Sequence, residues 1–244
     1  KKFVLSLKFS DIKLLVSSLI NSDSRLIYDR QIQLMTKKVA PFLAFDWDPY
    51  LIVTKEGRLV WMQDAYTYSN NFPYATPFKG RINYIRNSVK VTLDAYSGKM
   101  NFYVVDPSDP IISTYAQFYP DLFKSFDEMP SDLKSHIRYP KDLFTIQSKM
   151  YNSYHMTDPR VFYNQEDLWT IPQEKYEESE QTMKAYYMVT KLPGKEKETF
   201  LLMLPFTPTN KHNMIAWASV SCDPDSYGEL NVFKFPKSDL IYSS

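Results

Sequence analysis

Three places in this chain bring two carboxylates within reach of one hard cation or of one another: Asp46-Trp47-Asp48, Asp106-Pro107-Ser108-Asp109 and Asp223-Pro224-Asp225. The third, with Gly228 behind it, carries the opening of a calcium-loop pattern. Six residues after that glycine, where the pattern needs a bidentate acid, stands Lys234, so the pattern fails. Each pair also has a structural reading. Of the 16 prolines, Pro49, Pro107, Pro110, Pro159 and Pro224 follow an aspartate, and Asp-Pro is ordinary turn and helix-cap chemistry.

The histidines offer less. His136, His155 and His212 are too far apart in sequence for one helix to join two of them around a metal. Cys222 is the sole cysteine, so an intrachain disulfide and a cysteine-based zinc cage are excluded. A dyad of Cys222 with a histidine would be spatial rather than sequential. The alternative is a small buried hydrophobe at a strand end. Glycine numbers only 5, and the closest two are Gly80 and Gly98, so no Walker loop, Rossmann glycine motif or nucleophile elbow exists. No catalytic, cofactor-binding or metal-ligating residue is assigned on these grounds.

Binding chemistry rests on aromatics. Trp, Tyr and Phe number 4, 19 and 16, and they gather as Tyr66, Tyr68, Phe72, Tyr74 and Phe78, then as Tyr151, Tyr154, Phe162 and Tyr163. Aromatics with polar tips suit a carbohydrate or peptide groove, a protein interface, or a wet-edged core. With 29 basic against 28 acidic residues, and few of the basic ones Arg, nothing marks a nucleic-acid partner.

The run 1–9 alternates and predicts a strand, followed by a helix capped by Ser10 or Asp11 with Ile12, Leu15, Val16 and Leu19 on one face. A second helix is expected over 28–40, its face Ile32, Met35 and Val39. Period two then sets in: 50–54, a Lys55-Glu56-Gly57 turn and 58–66 form a hairpin. A loop fills 70–80, and 82–87 make one or two helical turns. Val89, Val91, Leu93 and Ala95 face one way, Lys90, Thr92 and Asp94 the other, and after Ser97-Gly98 the chain returns through Met100, Phe102 and Val104.

Asp109-Pro110 caps a helix bearing Ile111, Ile112, Tyr115 and Phe118. The strongest piece of the proline-punctuated middle follows Pro140, with Leu143, Ile146 and Met150. Residues 173–184 are polar and read as an exposed loop or mobile insertion. Strands 185–190, 199–204, 214–221 and 229–235 close the chain. Segregated helices and strands argue an α+β fold with antiparallel sheets, as one region over 1–244 or as lobes 1–110 and 111–244. A faint helix–strand–turn–strand echo, 28–66 against 82–105, repeats Asp-Ala-Tyr at 64–66 and 94–96. No stretch is apolar enough to span a membrane.

The strings RQIQLMTKKVAPFLAFDWDPYLIV, GRLVWMQDAYTYSNNFPYA, YPKDLFTIQSKMYNSYHMTDPRVFYNQEDLW and FLLMLPFTPTNKHNMIAWASVSCDP resemble Uncharacterised Protein Family 0182, as does VKVTLDAYSGKMNFYVVDPSDPII. That resemblance implies the extracytoplasmic region of a large bacterial membrane protein, with its transmembrane helices lying before this chain. It carries no catalytic or binding residue. LDAYSGKMNFYV is also similar to one hairpin of PepSY-type domains, which implies a regulatory or protein-binding module. The leading expectation is a non-enzymatic module that binds a protein or cell-envelope ligand beside its own transmembrane helices. The alternatives are a cell-envelope hydrolase or transferase using Asp46/Asp48 or Asp223/Asp225, and a cap or assembly element for a transport or export complex formed by the transmembrane helices.

Overall fold

The computed structural model describes residues 2–24, 28–176, 179–209, 211, 213–236 and 241–242. It is an α+β fold. Helices α1 (Lys2–Phe9), α2 (Lys13–Val16) and α3 (Ile32–Val39) come first. The expected strand over 1–9 is therefore a helix. Phe3, Leu5, Leu7 and Phe9 do alternate, but among the described residues no strand pairs with them, and only a helix meets its backbone hydrogen bonds within the segment. The next helix is shorter than its apolar pattern: Asp11 Oδ1 accepts the Lys13 N–H at 2.9 Å, but Leu19 lies beyond the last turn and is exposed. In α3 the inward face is Ile32, Thr36 and the following Ala40, while Val39 points to solvent.

The first sheet contains β1 (Ala44–Phe45), β2 (Tyr50–Val53), β3 (Leu59–Ser69), β4 (Tyr84–Asp94), β5 (Met100–Val104) and, after α4 (Pro110–Phe118), β6 (Phe123–Ser125). Its order is β1-β3-β4-β5-β6, with β2 on the other half of β3. All pairs are antiparallel except β5–β6, which the α4 crossover makes parallel. The β2–β3 and β4–β5 turns formed where expected, with Gly57 and Gly98 in the left-handed region at φ +76° and +70°. Residues 82–87 are not helical. From Tyr84 onward they belong to β4 and pair with Ser69, Tyr68 and Thr67, so cross-strand hydrogen bonds decide where the Ile82/Ile85 spacing misled. The proposed repeat loses its second helix for the same reason.

Further on lie α5 (Ser131–Lys134), α6 (Lys141–Tyr154), α7 (Pro159–Asn164) and β7 (Trp169–Thr170). Residues 173–184, expected as a loop, hold a two-stranded hairpin, β8 (Gln173–Tyr176) and β9 (Ser179–Thr182), whose backbone groups pair with each other. The second sheet runs β10 (Tyr186–Lys191), β11 (Glu198–Pro208), β13 (Ala216–Ser221), β14 (Leu230–Lys234), with β7 on the far end of β11. The short strands β12 (Asn213–Met214) and β15 (Ile241–Tyr242) pair separately.

Helix α6 lies against the second sheet. It buries Leu143, Phe144 and Ser148 where Leu143, Ile146 and Met150 were expected, so its inward stripe is rotated toward Phe144. Phe144 joins Trp169, Leu202, Leu204 and Phe206 in the largest apolar cluster. One face of the first sheet packs Ala65, Val89, Val91 and Phe102 against Ile112 of α4. The other face packs Val60, Met62 and Tyr103 against Met129 and Leu133. Both faces of β4 are thus covered, and Lys90 on its second face is enclosed. Among the described residues no helix is long and apolar enough to cross a membrane.

Candidate functional site

Asp46 is buried between β1 and α6. It accepts the Tyr66 hydroxyl and, on the same oxygen, the Asp142 N–H at 3.1 Å, while Asp142 Oδ2 takes the Trp47 N–H at 3.1 Å. Asp46 thus supplies the N-terminal turn of α6 with an acceptor that its own Pro140 cap lacks. Burial and the Asp46 carboxylate push the Asp142 carboxyl above its usual range. Asp48 is exposed and pairs with Lys141 at 2.7 Å, so the two carboxylates of this pair are taken by different partners.

Asp223 and Asp225 are likewise apart in role. The carboxylate of Asp223 receives the Phe200 N–H at 3.4 Å, while Asp225 is exposed in a single turn of 3-10 helix. Asp109 is a helix cap, fully buried, taking the Ile111 N–H at 3.1 Å, the Tyr84 hydroxyl at 2.8 Å, the Ser88 hydroxyl at 2.6 Å and the Thr67 hydroxyl. Burial raises this carboxyl, but the Ser88, Thr67 and Tyr84 hydroxyls and the Ile111 N–H outweigh it and hold Asp109 below its usual range. Asp106 pairs at the surface with Arg86 at 2.7 Å. Among the described residues no three His, Cys, Asp or Glu side chains are grouped to hold a metal ion.

The aromatic cluster also divides. Tyr66 is core. Phe72 stacks on Tyr84 with centroids 5.6 Å apart, whereas Tyr68 and Tyr74 face solvent, so no single groove unites them. His155 is buried and stacked on Trp169 at 3.7 Å, and His136 lies at the surface. His212 lies outside the described residues.

What the fold does assemble is a cavity of about 670 Å³ where β4, the segment leading into α6 and the β13–β14 turn meet. Ile85, Val105, Phe126, Ile137 and Leu143 give it apolar walls. Lys90, 1% exposed, also lines it and sits directly across the β3–β4 ladder from Asp64, 4% exposed. The two form an ion pair, and the Lys90 ammonium also donates to the Arg138 carbonyl at 3.0 Å and to the Tyr227 hydroxyl at 3.1 Å. Three acceptors use all three of its N–H bonds. Burial pushes the Asp64 carboxyl up, against the opposing pull of Lys90.

Beside them the Tyr139 hydroxyl donates to Gln147 Oε1 at 3.0 Å, and the Tyr139 N–H donates to Cys222 Sγ at 3.3 Å. Burial raises the Cys222 thiol and the Tyr139 and Tyr227 hydroxyls above their ordinary values, so these groups are neutral hydrogen-bonding walls and not nucleophiles. No hydrogen bond joins Cys222 to a histidine among the described residues.

Sequence reasoning missed Lys90, Asp64, Tyr139 and Tyr227 as a group. The available signal was a lysine and an aspartate set inside strongly apolar strands. Their pairing needs the β3–β4 register, which the intervening 14-residue connection conceals.

The comparisons agree with one another. The model of an uncharacterised protein family, UPF0182, matches residues 1–244. UPF0182 proteins of Desulforamulus reducens, Sulfurovum sp. and Pelotomaculum thermopropionicum are 51%, 52% and 50% identical to the chain over 99% of its length. The chain spans about a quarter of each, 26%, 27% and 26% respectively. No solved structure matches. With the whole chain matched and half of its residues shared with each of these relatives, the chain belongs to the uncharacterised protein family UPF0182.

Proposed function

We propose that this chain is a non-catalytic ligand-binding module, regulatory in role, within the part of a bacterial membrane protein that faces outside the cytoplasm, next to the protein's own transmembrane helices. The observation that carries the binding reading is the cavity of about 670 Å³, within the roughly 300–1,000 Å³ span of small-molecule sites. Much of its lining is apolar, and the polar groups of Lys90, Tyr139 and Cys222 already have hydrogen-bond partners, which suits holding a molecule better than transforming one. The location and the membrane partner rest on the family resemblance alone. The acid-pair hydrolase gains no support from the geometry, because Asp46 caps a helix while Asp48 pairs with Lys141.

The binding reading is tested by native mass spectrometry and thermal-shift titration of the purified chain against fractionated envelope extracts. A retained small molecule that raises the melting temperature supports it. Turnover of an envelope substrate, lost on substituting Asp46 or Asp223, removes it. Placement is tested by accessibility labelling of single cysteines in a full-length relative in intact cells; labelling only after lysis counts against an outward-facing region.

A further inference from the structure

The charges around the cavity are unequal. Arg86, Lys90 and Lys134 line it, and Asp106 is its sole lining carboxylate among the described residues. Lys90 is balanced by Asp64 behind it and Arg86 by Asp106. Lys134 has no carboxylate among the ion pairs of the described residues. Its ammonium donates to the Asp127 carbonyl at 3.2 Å and lies 4.9 Å over the Phe126 ring. One positive charge is left over at the cavity wall.

The cations that line the cavity differ in exposure. Lys90 is sealed from water with every donor used, so a ligand charge brought to it would lose its hydration without gaining a partner. Arg86 is solvent-exposed and Lys134 half-buried, so an anion beside either keeps part of its water, and Lys134 is the one with no carboxylate among the described residues. Ile85, Val105, Phe126, Ile137 and Leu143 of the same lining reward an apolar body at about 25 cal/mol per Å² of surface removed from water.

Resting on the binding reading above, we propose that the ligand is an amphipathic organic anion whose apolar body fills the cavity and whose acid group is held by its solvent-reachable lining cations, Lys134 and Arg86. A free long-chain carboxylate and a phosphorylated lipid fragment share this chemistry and differ in the head that the two cations would hold.

Calorimetric titration of the whole chain, below micelle-forming concentrations, compares decanoate, decyl phosphate, decanol and decyltrimethylammonium. One or both acids are expected to bind, the tighter one identifying the head. Decanol should bind at least tenfold weaker and the cation not at all. Lys134→Gln and Arg86→Gln should each weaken the acids about tenfold and leave decanol unchanged, with circular dichroism and melting temperature showing both variants folded. Should Arg86→Gln disturb the fold through loss of its Asp106 contact, Lys134→Gln, whose side chain pairs with no carboxylate among the described residues, decides alone. If decanol binds as tightly as the acids, or the acids ignore Lys134→Gln, the anion proposal is overturned while the binding module stands. If none of the four probes binds the folded chain, both are overturned.

Discussion

Replacing Lys90 by methionine isolates the buried ion pair. Methionine matches the lysine stem in length and fills the same channel, but it strips partners from the Asp64 carboxylate, the Arg138 carbonyl and the Tyr227 hydroxyl together. Removing one member of a buried pair costs about 3–5 kcal/mol, and a typical domain has only about 5–15 kcal/mol in hand. The loss is expected to depend on pH. Without Lys90 the main force lowering the Asp64 carboxyl is gone, and burial drives it further above its unfolded value. A carboxyl raised in the folded state keeps a proton that the unfolded chain releases. Its stabilising contribution is therefore complete below the unfolded carboxyl range and is lost as pH rises toward the folded value, by up to about 1.4 kcal/mol per pH unit. Urea unfolding followed by tryptophan fluorescence should show a larger deficit for Lys90→Met at pH 8 than at pH 5. The double variant Lys90→Met with Asp64→Leu should recover most of it, since apolar replacement of a buried pair is often neutral. Asp64→Asn gives a milder single change if Lys90→Met does not fold. A deficit under about 1 kcal/mol, or one indifferent to pH, would mean that Lys90 and Asp64 do not depend on each other for burial.

Asp109→Asn should cost about 2 kcal/mol in urea unfolding, through the lost cap and the hydroxyls of Thr67, Ser88 and Tyr84 that lose their charged acceptor. Because the folded Asp109 carboxyl lies below its unfolded value, that stability is present above the unfolded carboxyl range and lost as pH falls; the variant should flatten the acid limb of the stability curve. Tyr66→Phe should cost about 1–2 kcal/mol by leaving Asp46 with one donor fewer, a loss that Asp46→Asn should partly share in a double-mutant cycle. Cys222 is 3% exposed with its thiol raised by burial, so a thiol reagent should react far more slowly with the folded chain than with a free cysteine. Phe144→Ala, in the middle of the largest cluster, should cost about 3–5 kcal/mol.

Legibility followed the range of the interactions. Val89 to Val104 read correctly because alternation and a Gly98 turn lie within one short window, and Asp109-Pro110 read as a cap because its effect is local. Phe3 to Phe9 failed because a period of two promises a strand only when a partner exists, and the partner is not a property of the segment. Ile82–Asn87 failed in the opposite sense, since Tyr68 and Thr67 draw the segment into the sheet. The acidic pairs were visible as types and spacing, but their direction was not. Asp46 and Asp48 are two residues apart yet serve a helix terminus and a surface lysine. Lys90 and Asp64 were visible only as interruptions of apolar strands, because the ladder that sets them opposite each other is closed by a long connection.

The Asp46 contact with α6 also bears on how the chain reaches this state. Asp46 and Asp142 are 96 positions apart, and Lys90 and Tyr227 are 137 apart. Closing loops of that length costs entropy before either contact rewards it, and helix α6 gains its outside acceptor only after β1 has joined the sheet. Contacts this far apart in sequence are of the kind that slow folding. During synthesis Asp46 leaves the ribosome well ahead of α6, so the first sheet must wait, with the Asp46 carboxylate lacking the Asp142 N–H, for the helix that completes it.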